Sequence, residues 1–325
     1  MKIVQHAASC RPPSARILFI SLVALAGALI PRPSRAEALG VTAGIAPVAG
    51  MVERIGGGRV VVDMLVPPGQ DPHGFAPTPR QVLALRRAKL LVVVGLPFEE
   101  QLARRVGGEL PGLRVVDAAA AIPRRAIGRG DEGHDHHDHA ERDSTERQHI
   151  GQSGATSGAN PAAREFLDPH VWLSPPLLKT MSAAIADALA EADPAGKEHY
   201  AENVRRYHEQ VDAVHRRIAE RLQPHRGKAI YVFHPALGYF ADAYGLRQEV
   251  IEADGKTPSP RQLREVVARA RADRAKLLVV EPQFDRRGAE VVAQAIGARI
   301  LVFDPVDRDV LGALDALCER LAAGL

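Results

Sequence analysis

Short aliphatic and β-branched runs alternate along the chain with longer helix-patterned segments, and this alternation leaves few folds open. The runs are Arg59–Val66, Leu90–Val94, Arg114–Val116, Ala229–Phe233, Leu277–Val280 and Arg299–Phe303. Segments such as Pro79–Arg87, Pro260–Arg271 and Ala289–Ile296 lie between them. Strand and helix in alternation predict an α/β fold of mostly parallel sheets flanked by helices. Ser259 followed by Pro260 reads as a helix N-cap with proline at the first helical position. At 325 residues the chain exceeds one ordinary core and suits two lobes.

Two helical segments divide those lobes. The first is Pro176–Glu191 and the second runs from about Lys197 to Leu222. In the second, Tyr200, Val204, Tyr207, Val211, Val214, Ile218 and Leu222 recur at spacings of three and four, which marks one face of a helix. At 1.5 Å per residue it would reach roughly 40 Å, long enough to run along both lobes. The expected organisation is therefore a first lobe over 37–175, a helical segment over 176–222 and a second lobe over 223–325.

Residues 1–36 are set apart from the fold. Lys2, Arg11 and Arg16 precede an apolar run, Ile17–Ile30, and Ser34-Arg35-Ala36 fits the small-x-small cleavage rule. The run is short of the ~20 residues that span a bilayer, so it predicts a cleaved signal peptide and export to the periplasm. Cleavage would remove Cys10 and leave Cys318 without a disulfide partner. A net charge of +3 and a pI near 9.0 invite a nucleic-acid reading. Arginines spread through the helical segments and an aromatic content of 4% exclude it, because neither a basic stripe nor a stacking platform results.

Residues 124–164 break the pattern. His134, His136, His137, His139 and His149 stand there among acids, followed by a Gly/Ser/Ala stretch. Nothing in it can build a core, so it is expected to be a disordered loop. Its histidines are candidates for weak, secondary metal binding.

The chemistry concentrates in two Asp-Pro-His triplets, Asp71-Pro72-His73 and Asp168-Pro169-His170. Proline fixes its own φ and biases the preceding residue to extended backbone. A histidine after such a rigid step loses little freedom on binding, and neutral imidazole is the commonest metal ligand. His234 follows the run Ala229–Phe233, and Asp304 follows Arg299–Phe303. In open α/β sheets, ligands bind beyond the carboxyl ends of the strands. His73, His170, His234 and Asp304 would make a three-imidazole, one-carboxylate set of the kind zinc accepts. Manganese favours more oxygen donors, whereas copper and nickel also take imidazole.

Four segments occur in order: Gly69-Gln-Asp-Pro-His73-Gly-Phe-Ala-Pro77, Asp168-Pro-His170-Val-Trp172-Leu-Ser-Pro175, Phe233-His234-Pro-Ala-Leu-Gly-Tyr239-Phe240 and Glu281-Pro-Gln-Phe284. With Lys256-Thr-Pro-Ser-Pro260-Arg-Gln-Leu, they make the chain resemble the zinc and manganese solute-binding proteins of ABC importers, the cluster A-I or ZnuA-like family, from about Gly40 to the C-terminus. The resemblance implies two α/β lobes joined by one long helix, with a metal between them held by His73, His170, His234 and Asp304. A histidine at 234, where manganese members usually carry glutamate, points to Zn2+ as the transported ligand. Some zinc members have a glutamate beside the first ligand histidine; here its neighbours are Pro72 and Gly74, so Asp304 and water both stand open as the fourth ligand. The implied partners are a membrane permease and its ATPase, with the chain acting as a monomer. Competing readings are a secreted zinc hydrolase, a manganese-binding relative, and an adhesin or storage protein. The chain has no His-Glu-x-x-His motif, which weighs against the hydrolase.

Overall fold

A computed structural model describes residues 38–127, 167–252, 259–284 and 286–325. The expected signal peptide and the histidines at 134, 136, 137, 139 and 149 lie outside these residues.

Eight strands form two four-stranded sheets among the described residues. The first joins β1 (Leu39–Ala43), β2 (Val60–Met64), β3 (Leu90–Val93) and β4 (Arg114–Asp117) in the order β2-β1-β3-β4, with every neighbouring pair parallel. The second joins β5 (Ala229–Val232), β6 (Arg247–Val250), β7 (Leu277–Val280) and β8 (Arg299–Val302) in the order β6-β5-β7-β8, again parallel throughout. The two halves repeat one winding. In each, chain direction across the sheet reverses after the first strand, which leaves a crevice at the carboxyl ends. Parallel strands covered on both faces read as continuous apolar runs, and Leu90–Val93 is buried at every position.

Helices α1 (Ala46–Gly56), α2 (Pro79–Ala84) and α3 (Pro97–Glu109) belong to the first sheet. A capping box between Thr78 and Gln81, with Pro79 at the first turn, starts α2. Helices α4 (Pro175–Ala192) and α5 (Lys197–Leu222) follow. The 26 residues of α5 extend about 40 Å. It buries Tyr200, Tyr207, Val211, Val214, Ile218 and Leu222, the stripe expected from the sequence, while Val204 is half-buried. The second half adds α6 (Gly238–Tyr244), α7 (Pro260–Ala272), α8 (Arg286–Ile296) and α9 (Val310–Ala322). Ser259 caps α7 as the sequence predicts, in a capping box with Gln262.

One hydrophobic core runs from the first sheet through α4 and α5 to α6, α9 and the near face of the second sheet. A smaller core lies between that sheet's other face and α7 and α8. Two strands were not anticipated, β1 and β6. The expected disordered stretch also begins too early. Ala126 bridges Leu167, and Arg124 and Arg125 are both hydrogen-bonded into the fold, so residues 124–126 are ordered.

Candidate metal centre

His73, His170 and His234 meet at one point. His73 stands in the turn between β2 and α2, His170 just before a 3-10 turn at Val171–Leu173, and His234 two residues past the end of β5. The Nε2 atoms of His73 and His170 lie 3.1 Å apart, and those of His73 and His234 3.2 Å apart. A zinc ion with Zn–N bonds of 2.0–2.1 Å holds tetrahedral nitrogens about 3.3 Å apart. The histidines therefore already stand near the spacing of a tetrahedral edge.

The two triplets share a local reason for existing. In each, the aspartate Oδ1 accepts from the backbone N–H of the histidine two residues on, at 2.9 Å for Asp71 with His73 and 2.9 Å for Asp168 with His170. Proline sits in the middle of this Asx turn and stiffens it. Asp168 does more: its Oδ1 also accepts from His170 Nδ1 at 2.8 Å. Glu252, just past β6, accepts from His234 Nδ1 at 2.6 Å. A carboxylate on Nδ1 fixes the tautomer and turns the Nε2 lone pair towards the shared point.

Burial sets the protonation of the rings. It lowers His73 to about 2, helped by the neighbouring imidazoles His170 and His234. It also lowers His170, against the pull of Asp168. Burial acts in the same sense on His234, but the hydrogen bond to Glu252 and the charges of Glu252, Glu281 and Asp71 outweigh it and raise that ring. Glu281, at the end of β7, is 1% exposed, and neither carboxyl oxygen has a hydrogen-bond partner. Burial raises it to about 8. The charge of His234 works against that rise, so positive charge beside the ring favours the ionised carboxylate.

Apolar side chains complete the enclosure. Phe284 stacks on His234 with centroids 4.9 Å apart, and Trp172 lies 5.2 Å from the His170 ring. The indole N–H of Trp172 reaches across to donate to Pro305 O at 2.7 Å. The three histidines themselves line a cavity of about 10 Å3, together with Asp71, Gln283, Phe284 and Val306. That is about the room one water needs.

The structure does not bring Asp304 into this group; among the described residues only the three histidines form such a cluster. Its Oδ1 accepts from Val306 N at 3.0 Å and from Gln283 Nε2 at 2.7 Å. Asp304-Pro305-Val306 is the same Asx turn as the triplets, with valine where the histidine would stand. The strand-end position that nominated Asp304 is explained by turn formation. Sequence reasoning missed Glu252, Glu281 and Phe284 as parts of the site. Glu281 and Phe284 lay inside a motif already singled out, but Glu252 carried no local signal.

Residues 41–316 match the family described as zinc-uptake complex component A, periplasmic. The chain is 28% identical over 295 residues to the high-affinity zinc uptake system protein ZnuA of Yersinia pestis, covering 87% of this chain and 88% of that one. It is 32% identical over 239 residues to the protein of the same description from Paracoccus denitrificans, covering 72% and 73%. A crystal structure of ZnuA superposes with a TM-score of 0.74 at 28% identity, over 89% of this chain and 99% of the other.

Proposed function

The chain belongs to the ZnuA family of periplasmic zinc-uptake components, and from that membership we propose that His73, His170 and His234 capture one Zn2+ ion for delivery to an ABC-type importer. It is a solute-binding protein and not an enzyme. The observation that carries the site assignment is the convergence of three Nε2 atoms from both halves of the chain. An all-imidazole set supports zinc over manganese. The cavity lined by the three histidines has room for one water-sized occupant, which supports a single small ion there over an organic substrate. Asp304 serves the turn that carries Pro305 and accepts from Gln283 in the segment after β7.

No bond is made or broken. Imidazoles replace water around the ion, and the loaded protein docks on a membrane permease whose ATPase partner drives uptake. Export as a cleaved precursor places this capture in the periplasm.

Metal analysis and calorimetry on the chain without residues 1–36 test the reading. One tightly held zinc per chain is expected. His73→Ala should weaken it by more than the roughly 100-fold that loss of a ligand's supporting partner can cost. Asp304→Asn keeps the turn acceptor and should leave affinity within about threefold. Equal loss in both variants would return Asp304 to the ligand set; no loss in His73→Ala would end the assignment.

A further inference from the structure

Arg125 holds a position that its sequence context does not announce. Its guanidinium Nη1 donates to Asp168 Oδ2 at 3.2 Å, while its Nε reaches Asp242 Oδ2 on α6 at 3.0 Å. Asp168 is fully buried and splits its carboxylate between two tasks. Oδ1 takes the backbone N–H and Nδ1 of His170, and Oδ2 takes Arg125. A carboxylate held at both oxygens cannot rotate, so the imidazole behind it cannot either.

The second half of the molecule closes this arrangement from above. The Tyr239 hydroxyl accepts from Arg125 N at 3.0 Å and donates to Asp168 O at 3.1 Å. The Arg125 guanidinium carbon lies 5.8 Å from the centre of the Tyr239 ring. Most telling is Gly238, the first residue of α6. A Cβ built there would fall 1.4 Å from Arg125 Nη1 and 2.7 Å from Asp168 Oδ2. Backbone φ does not demand glycine at this position, since Gly238 is not among the glycines with positive φ. A Cβ there would instead displace the ion pair that passes directly over the helix start.

We propose that Arg125 is a positioning residue for His170: it locks Asp168 so that the imidazole stays aimed at the metal point, and Gly238 is the slot that admits it from the opposite half. Asp242 is the outer arm, tying that lock to α6. The role assigned to His170 rests on the function proposed above, but the lock itself can be read without metal.

Two readouts test it, on the chain without residues 1–36. The first is the His170 Nδ1–H resonance in the metal-free protein, which a hydrogen bond to a fixed carboxylate should keep sharp and downfield. The second is zinc affinity by chelator competition. Gly238→Ala improves helix propensity at that site, so a weakened site cannot be assigned to a poorer helix. It should broaden or abolish the resonance and weaken zinc binding by roughly 10- to 100-fold, the usual effect of losing a ligand's supporting partner. Arg125→Met should do the same, and it carries the test if Gly238→Ala does not fold. Arg125→Lys should recover part of the affinity. Wild-type resonance and affinity in Gly238→Ala and Arg125→Met would overturn the proposal. A wild-type protein that shows the resonance but binds no zinc would instead sink the metal assignment and leave the lock standing.

Discussion

Proline is the middle residue of three Asp-Pro-x turns, at Asp71, Asp168 and Asp304, and the residue that follows it decides what each turn can do. Two place histidine and one places valine. Such turns are local, so two of the three converging histidines were legible in the sequence. His234 has no such turn and was legible through its place after a strand and through the family-like segment 233–240. The groups that aim the rings were not, because Glu252 and Arg125 reach their partners through the fold, across 18 and 43 residues. The charge states make a specific expectation. Glu252 raises His234 above its ordinary value, whereas burial lowers His73 and His170. Protons therefore compete with zinc most strongly at His234. As pH falls below the His234 value, affinity should drop roughly tenfold per pH unit. Calorimetry in buffers of different ionisation enthalpy counts the released protons directly; a count that does not grow as pH falls would contradict the raised His234. Glu252→Gln should reduce affinity by roughly 10- to 100-fold, read by the same titration.

At the scale of single elements, the strands that escaped notice are instructive. β1 reads Leu-Gly-Val-Thr-Ala, too short and too mixed to stand out, yet it sits inside its sheet between β2 and β3. Its Gly40 is needed because a Cβ would come within 2.8 Å of Arg87 O. β6, Arg-Gln-Glu-Val, is an edge strand whose polar residues pair with Arg269 and Asp273, so it carries no apolar run. The start of α3 holds a further consequence. Glu99 is fully buried, and its Oε2 accepts from Val94 N at 2.8 Å and Leu96 N at 3.0 Å. Burial, opposed by these backbone bonds, raises it from 4.5 to about 7. A carboxyl raised on folding contributes stability that is complete below its unfolded value and lost as pH climbs to its folded one. Between about pH 4.5 and 7 that loss is on the order of 3 kcal/mol. Glu99→Gln keeps an acceptor but cannot ionise. Relative to wild type, it should gain stability of that order on going from pH 4.5 to pH 8 in denaturant titrations of the metal-free protein. A difference independent of pH would refute the buried-carboxyl account.

Across the whole molecule, the alternation of strand and helix was enough to read two parallel α/β sheets, and the apolar stripe of α5 was enough to read the long helix between them. What it could not supply is how closely the halves are joined. A continuous core passes through α4 and α5. Surface ion pairs add to it between α1 and the segment before α9, Glu53 with Arg308 and Arg54 with Asp309, although exposed pairs of this kind contribute little each. A ligand held by both halves should stabilise the fold as one unit. At free zinc a hundredfold above its dissociation constant the gain is about 2.7 kcal/mol, seen as a rise in thermal midpoint that His73→Ala should abolish. The chain has a single tryptophan. Trp172 is wholly buried, beside the His170 ring and bonded to a carbonyl from the other half. Tryptophan emission from this protein, excited apart from its five tyrosines, therefore originates at one spot on the seam, and the chain carries its own optical gauge of whether that seam is shut.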